Sequence, residues 1–191
     1  KVDGLRGIAT LYPETVQIVT LAKTGIKDIA SMKGKRVAVG AAGSGTEANA
    51  RQILEEHGIT YKDITVQYLS FAEAASNLKD GNVDAAFVTA GFPTAAIQDI
   101  AAQHEVVLLP VAEDVADKLI EKYPFYTKVV IPKDTYPKQA EDVNAVAVMA
   151  MLVVTDKMDE QLAYDITKAI YSNLDRLETA HAVGKMITKE G

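Results

Sequence analysis

Apolar and polar positions recur with two different periods along this chain, and the switches between them mark out its elements. Leu5–Tyr12 and Val16–Ala22 read as strands, the second almost wholly apolar or β-branched. Asp28–Met32 gives a short helical turn before Gly34, and Arg36–Val39 is a further strand. Beyond it, Ala50, Ile53, Leu54 and His57 stand at i, i+3, i+4 and i+7, the spacing of one helix face, and Gly58 ends the run. Ile64, Val66 and Tyr68 then alternate with Thr65 and Gln67 as a half-buried strand, Ile64–Leu69. Phe71, Ala74, Ala75 and Leu78 form a second helix face that stops at Gly81.

Asp84–Val88 is short and nearly continuously apolar, as in a strand covered on both sides. Gly91-Phe92-Pro93-Thr94 breaks it, and Pro93 suits the start of a helix predicted to run to about His104. Val106–Val111 reads as a strand, Asp114–Lys122 as a helix and Thr127–Ile131 as a strand. Pro132–Asp142 is a polar connection to the strand Ala145–Thr155. An amphipathic helix bearing Leu162, Ile166, Ala169 and Ile170 and a helical tail over Leu177–Ile187 complete the chain. Repeated strand–helix–strand units predict an α/β fold with a mostly parallel sheet, whose ligands sit beyond the carboxyl ends of the strands.

The stretch Arg36–Glu47, RVAVGAAGSGTE, brings candidate chemistry to that edge. Closely spaced glycines let a ligand approach the backbone, and a helix opening at Ser44 aims unpaired N–H groups at one point. Such a turn suits a phosphate or carboxylate. The P-loop reading fails on one residue, because Thr46 occupies the position of the essential lysine. A dinucleotide fingerprint is half present through Gly43, Gly45 and Ala48, but the next strand ends in Tyr68, Leu69 and Ser70 rather than an acid, and Asp63 precedes it. A purely structural reading is also open. Ser44 with Glu47 and Ser70 with Glu73 each have the spacing of a capping box.

Composition narrows the partners. The 191 residues carry a net charge of −6 without any basic cluster interleaved with aromatics, which argues against nucleic acid. No cysteine is present, so disulfides, thiolate metal sites and cysteine nucleophiles are excluded. The longest apolar run, Ala145–Val154, is far too short to span a membrane. His57, His104 and His181 form no metal-binding spacing; His57 and His104 fall near helix ends, where the last carbonyls suffice as partners. Ser44 lacks the nucleophile-elbow pattern, Tyr123, Phe125 and Tyr126 read as core packing, and Lys33, Lys35 and Arg36 read as solvated surface.

Four ordered motifs, LYPETVQIVT, GIKDIASMKGKRVAVGAAGSGTE, LSFAEAASNLKDGNVDAAFVTAGFPTAAI and YPFY, resemble the TAXI branch of TRAP-transporter solute receptors over about Leu5–Asn173. The resemblance implies a type II periplasmic-binding-protein fold with two α/β lobes. Residues 35–131 form the second lobe, and residues 1–34 with 132–191 form part of the first. Val16–Ala22 and Ala145–Val154 cross between them. The segment with which the family's first lobe begins has no counterpart here, so that lobe is expected to be incomplete.

Carried over residue by residue, Gly43, Ser44, Gly45 and Thr46 match the family's binding loop. Thr89, Gly91, Phe92, Pro93 and Thr94 match a second loop on the same cleft, and Tyr12 and Glu14 precede the first crossing. Ala42 and Phe92 depart from the proline and tyrosine common in the family. The implied function is capture of a small anionic or zwitterionic solute, a carboxylate or amino acid, and its delivery to TRAP membrane subunits outside the cytoplasm. No cofactor, metal or catalysis is implied. The alternatives are a cofactor- or nucleotide-using enzyme on a similar scaffold, and a truncated fragment that does not bind.

Overall fold

The computed structural model describes residues 3–189. The elements run β1 (Leu5–Leu21), β2 (Arg36–Ala38), α1 (Gly45–Glu56), β3 (Thr65–Gln67), α2 (Phe71–Asp80), β4 (Ala85–Ala90), α3 (Ala95–Ala101), β5 (Val106–Leu108), α4 (Glu113–Lys122), β6 (Tyr126–Ile131), β7 (Val143–Thr155), α5 (Glu160–Tyr171) and α6 (Leu174–Ala180). Short 3-10 turns lie at Ala22–Thr24, Ala30–Met32 and Ala182–Met186. By internal packing the chain divides into Thr15–Val148 and a second unit of Lys1–Glu14 with Met149–Gly191.

Several expected elements have other bounds. The two opening strands are one, β1, because the extended backbone admits the fixed φ of Pro13 and continues through it. The third helix begins at Ala95 and ends at Ala101, short of His104. The strand expected over Ile64–Leu69 pairs only through Thr65–Gln67.

Within the larger unit β3, β2 and β4 are parallel neighbours, with Ala38 opposite both Gln67 and Ala86. β1 runs antiparallel to β4 on one side and β5 on the other, and β6 is antiparallel to β7. The sheet is therefore mixed and not mostly parallel as expected, because β1 enters it antiparallel to both β4 and β5 and β6 runs antiparallel to β7; its parallel part carries the glycine turn. Strand alternation splits the core into two layers. Val16, Ile18, Val37 and Phe87 face Ile53 and Leu54 of α1 and Leu119 of α4. Val19, Leu21, Ala86 and Val88 face Leu78 of α2 and Ile97 and Ile100 of α3.

The helix ends follow their sequence signals. Ser70 accepts from the Glu73 amide while the Glu73 carboxylate accepts from the Ser70 amide at 2.8 Å, so this capping box is complete. Gly81, at φ +77°, ends α2. Arg36 does not lie free as expected: its guanidinium grips Asp84 at 2.8 and 3.1 Å and its amide donates to the same carboxylate. The pair fastens the starts of β2 and β4 together, a bidentate geometry that arginine supplies and lysine does not. His57 makes the local contact expected of it, its Nδ1 lying 2.8 Å from the Ile53 carbonyl.

The smaller unit is built differently. β7 beyond Val148 alternates exposed and half-buried residues, and α5 buries none of its side chains despite its apolar stripe. Its two stretches of chain are joined by the Asp156 amide, which donates to the Gly4 carbonyl at 2.8 Å.

Candidate functional site

Because β3, β2 and β4 are parallel, the β3–α2, β2–α1 and β4–α3 turns all leave one edge of the sheet. Val39 and Leu69 extend the join upward, the Val39 amide donating to the Gln67 carbonyl and the Leu69 amide to the Gly40 carbonyl. The β2–α1 turn then bends sharply. Gly40 has φ +96°, and a Cβ there would lie 2.9 Å from Thr46 Cβ, so close packing of the turn on its own helix requires glycine. Gly43 has φ +72°, and a Cβ at Gly43 or Gly45 would meet nothing within 4 Å. Those two positions face open space.

Donor accounting shows what the turn offers. The Ser44 amide donates to the Ala41 carbonyl at 3.0 Å, and the Glu47 amide donates to Ser44 Oγ at 3.1 Å. Among the described residues the N–H groups of Gly43, Gly45 and Thr46 have no partner, and neither has Thr46 Oγ1. They stand at the positive end of a helix of 12 residues. Of the carried-over loop, then, Gly43, Gly45 and Thr46 present free donors, while Ser44 uses its amide and its acceptor internally.

The capping box expected at this helix is only half built. Glu47 does not reach back to Ser44; its carboxylate accepts from Tyr61 Oη at 2.8 Å. Tyr61 stays protonated because burial, and then the neighbouring carboxylate, push its pKa well above the ordinary value. The negative charge beside the turn is thereby directed away from it. Asp63, the nearest acid to the dinucleotide pattern, accepts from the amide and hydroxyl of Thr60 at 2.8 and 2.9 Å.

The second loop is closed by its own hydrogen bonds. Thr94 Oγ1 accepts from Gln17 Nε2 at 2.7 Å and donates to the Gly91 carbonyl at 3.0 Å. The Thr94 amide donates to Tyr136 Oη at 2.8 Å, and Tyr136 in turn donates to Gln17 Oε1. Phe92 packs on the α2–α3 core layer, and the Phe92–Pro93 bond is cis. Thr89 is joined to the first loop instead: its hydroxyl donates to Asn49 of α1 at 3.2 Å.

Tyr12 and Glu14 lie in the smaller unit, on alternate positions of β1. Burial raises the carboxyl pKa of Glu14, and burial followed by that carboxylate raises the phenol of Tyr12.

Sequence reading missed Gln17, Asn49, Tyr136 and Thr15. Each is a polar residue at a buried position: Thr15 and Gln17 within the apolar run of β1, and Asn49 on the inward face of α1 with Thr46 and Ile53. For Thr15, Gln17 and Asn49 a polar residue where the periodicity demands an apolar one was the available signal; Tyr136, in the connection between β6 and β7, carries none. Thr15 stands opposite Ala90, and its hydroxyl is fully buried without a partner. A separate cavity of ≈ 300 Å³ lies between α4, β6 and β7, but its Lys128 is already paired with Asp117 at 2.6 Å and Glu113 at 3.4 Å.

The fold has counterparts among solved structures. A protein from Bordetella bronchiseptica RB50 superposes with TM-score 0.58 at 15% identity, over 97% of this chain and 53% of that one. An ABC uptake transporter substrate-binding protein from Streptococcus pneumoniae with bound histidine gives 0.53 at 19%, over 95% and 62%. An ABC transporter periplasmic binding protein from Brucella ovis with glutathione bound gives 0.50 at 14%, over 92% and 48%. The chain thus spans roughly half the length of the solved structures it matches, and it shares with them the mixed α/β fold of periplasmic binding proteins. Residues 1–191 match the NMT1-like family, and the chain belongs to that family.

Proposed function

We propose that the chain is a solute-binding module, not an enzyme, which holds the negatively charged end of a small metabolite at the β2–α1 turn. The observation that carries this is the set of unpartnered N–H groups at Gly43, Gly45 and Thr46, fronted by glycine positions open to solvent. Hydrogen bonds from amides to a charged oxygen are stronger than neutral ones, and the helix end adds to them. The Thr46 hydroxyl supplies another donor.

The module belongs outside the cytoplasm and serves a membrane transporter. Family motifs support the TRAP type with its membrane subunits; the solved relatives named as transporter proteins are of the ABC type. Uptake in a strain carrying the intact system separates the two, since one responds to collapse of ion gradients and the other to depletion of ATP. Among the described residues no helix is long and apolar enough to cross a membrane.

The test of the site is Gly45→Val. A Cβ at this position meets no protein atom, so the fold should tolerate the change, while the added methyls stand in front of the free amides. Thermal-shift screening of amino acids, short carboxylates and methanesulfonate should find ligands whose stabilisation grows as RT ln(1 + [L]/Kd). Calorimetry should then give an affinity at least about tenfold weaker in the variant, the loss of one charge-assisted hydrogen bond. Undiminished affinity places the ligand elsewhere.

A further inference from the structure

We propose that Asn49 sets the hydrogen-bond polarity of this rim so that the turn takes a zwitterionic amino acid in preference to the corresponding simple acid; the proposal rests on the anion-binding reading above. The argument follows protons along a buried relay. Tyr126 Oη donates to Gln52 Oε1 at 2.6 Å, so its one proton is committed. The same oxygen accepts from Asn49 Nδ2 at 2.6 Å, which fixes which end of the Asn49 amide faces Tyr126. Asn49 Oδ1 is therefore turned toward β4, where it accepts the proton of Thr89 at 3.2 Å. A threonine hydroxyl has one proton. With that proton directed inward, Thr89 has only lone pairs left to offer.

The rim thus has two ends of opposite character. The N–H groups of Gly43, Gly45 and Thr46 are donors alone, and the Thr46 hydroxyl keeps a proton free to join them, which suits a carboxylate; Thr89, its proton spent, presents an acceptor, which suits an ammonium. Asn49 lies four residues beyond Gly45, roughly 6 Å along the helix at about 1.5 Å per residue. An α-amino acid carries both charged groups on one carbon and reaches about 3 Å further at each end through its hydrogen bonds. Thr46 marks the donor end independently of the helix terminus: it is 7% exposed, its hydroxyl has no partner among the described residues, and it shares the inward face of α1 with Asn49. Burial raises the Tyr126 phenol to about 12, so the relay keeps its protons at neutral pH.

The experiment compares each proteinogenic L-amino acid with its deamino analogue, alongside methanesulfonate, by thermal shift and then calorimetry on the full chain. At least one amino acid should bind, and its deamino analogue should bind about 10- to 100-fold more weakly, since a hydrogen bond to a charged donor is lost. Asn49→Leu releases the Thr89 proton and should shrink that ratio to under about threefold. Asn49→Asp keeps the Thr89 proton inward and adds a negative charge that repels the carboxylate of both ligands but attracts the ammonium of one, so the ratio should hold or rise. If Asn49→Leu does not fold, Tyr126→Phe removes the oxygen that orients Asn49 and should narrow the ratio as well. The ratio is the decisive readout, because a merely structural role for Asn49 would move both affinities together.

An unchanged ratio in Asn49→Leu, or in its replacement Tyr126→Phe, overturns the proposal, as does a deamino analogue that binds as well as its amino acid. Binding of simple acids or methanesulfonate alone overturns it while leaving the anion turn intact. Absence of any ligand across the panel overturns both.

Discussion

The two turns on this rim are both expected from sequence to be binding loops, yet they stand in opposite states. The β2–α1 turn leaves the amides of Gly43, Gly45 and Thr46 without partners. The β4–α3 turn has its threonine amide and hydroxyl bound by Tyr136, Gln17 and the Gly91 carbonyl. A donor already engaged inside the protein cannot be offered to a ligand without breaking that bond. The first turn keeps donors unspent, as the proposed function requires, and the second spends its own on holding its shape.

The largest effect should come from Gly40→Ala. A Cβ placed 2.9 Å from Thr46 Cβ at φ +96° combines steric and conformational strain, and urea unfolding should register a loss of about 2–4 kcal/mol. Stability within about 0.5 kcal/mol of the parent would mean that the turn is not held by this close approach.

Tyr136→Phe should come next and should separate the turns. It strips Gln17 Oε1 and the Thr94 amide of a buried partner, costing about 1–3 kcal/mol in urea unfolding, while affinity at the first turn stays as it was. A parallel fall in affinity would mean the second turn also touches the solute.

Asp84→Asn should have the smallest effect and bears on what the turns share, the tie between the strands that carry them. The Arg36 guanidinium holds the Asp84 carboxyl below its ordinary value of 3.8. A depressed folded-state pKa contributes stability that is complete above the unfolded value and disappears as pH falls through the folded one. Melts of the parent should therefore weaken as pH drops below the ordinary value, and the asparagine variant should lack that component. Asp84 is partly exposed and Arg36 more so, which limits the contribution at neutral pH to about 1 kcal/mol. An identical acid profile in both proteins would show that the pair does not tie the strands.

How much of this was readable from the chain follows the range of the interactions involved. The glycine turn, the Ser70–Glu73 box and the stop at Gly81 are decided within a few residues, and the sequence displays them. The Ser44–Glu47 box has identical spacing and fails because Tyr61, 14 residues further on, captures the carboxylate. Thr94 has the right side chain for a ligand, but Tyr136 and Gln17 reach it across separations of 42 and 77 residues. Residue type gives the capacity to hydrogen-bond. The assignment of partners is made by tertiary structure. The amphipathic stripe of α5 is likewise real in sequence, and what covers such a stripe is not written in its periodicity.

The contact between Tyr61 and Glu47 has a consequence for how the turn can vary. An acid in the first turn of a helix strengthens that helix, yet the same acid competes with any incoming carboxylate for the space in front of it. One phenol resolves the conflict by tethering the acid sideways. Relatives lacking a tether at this position should also lack the acid, and the two residues should come and go as a couple.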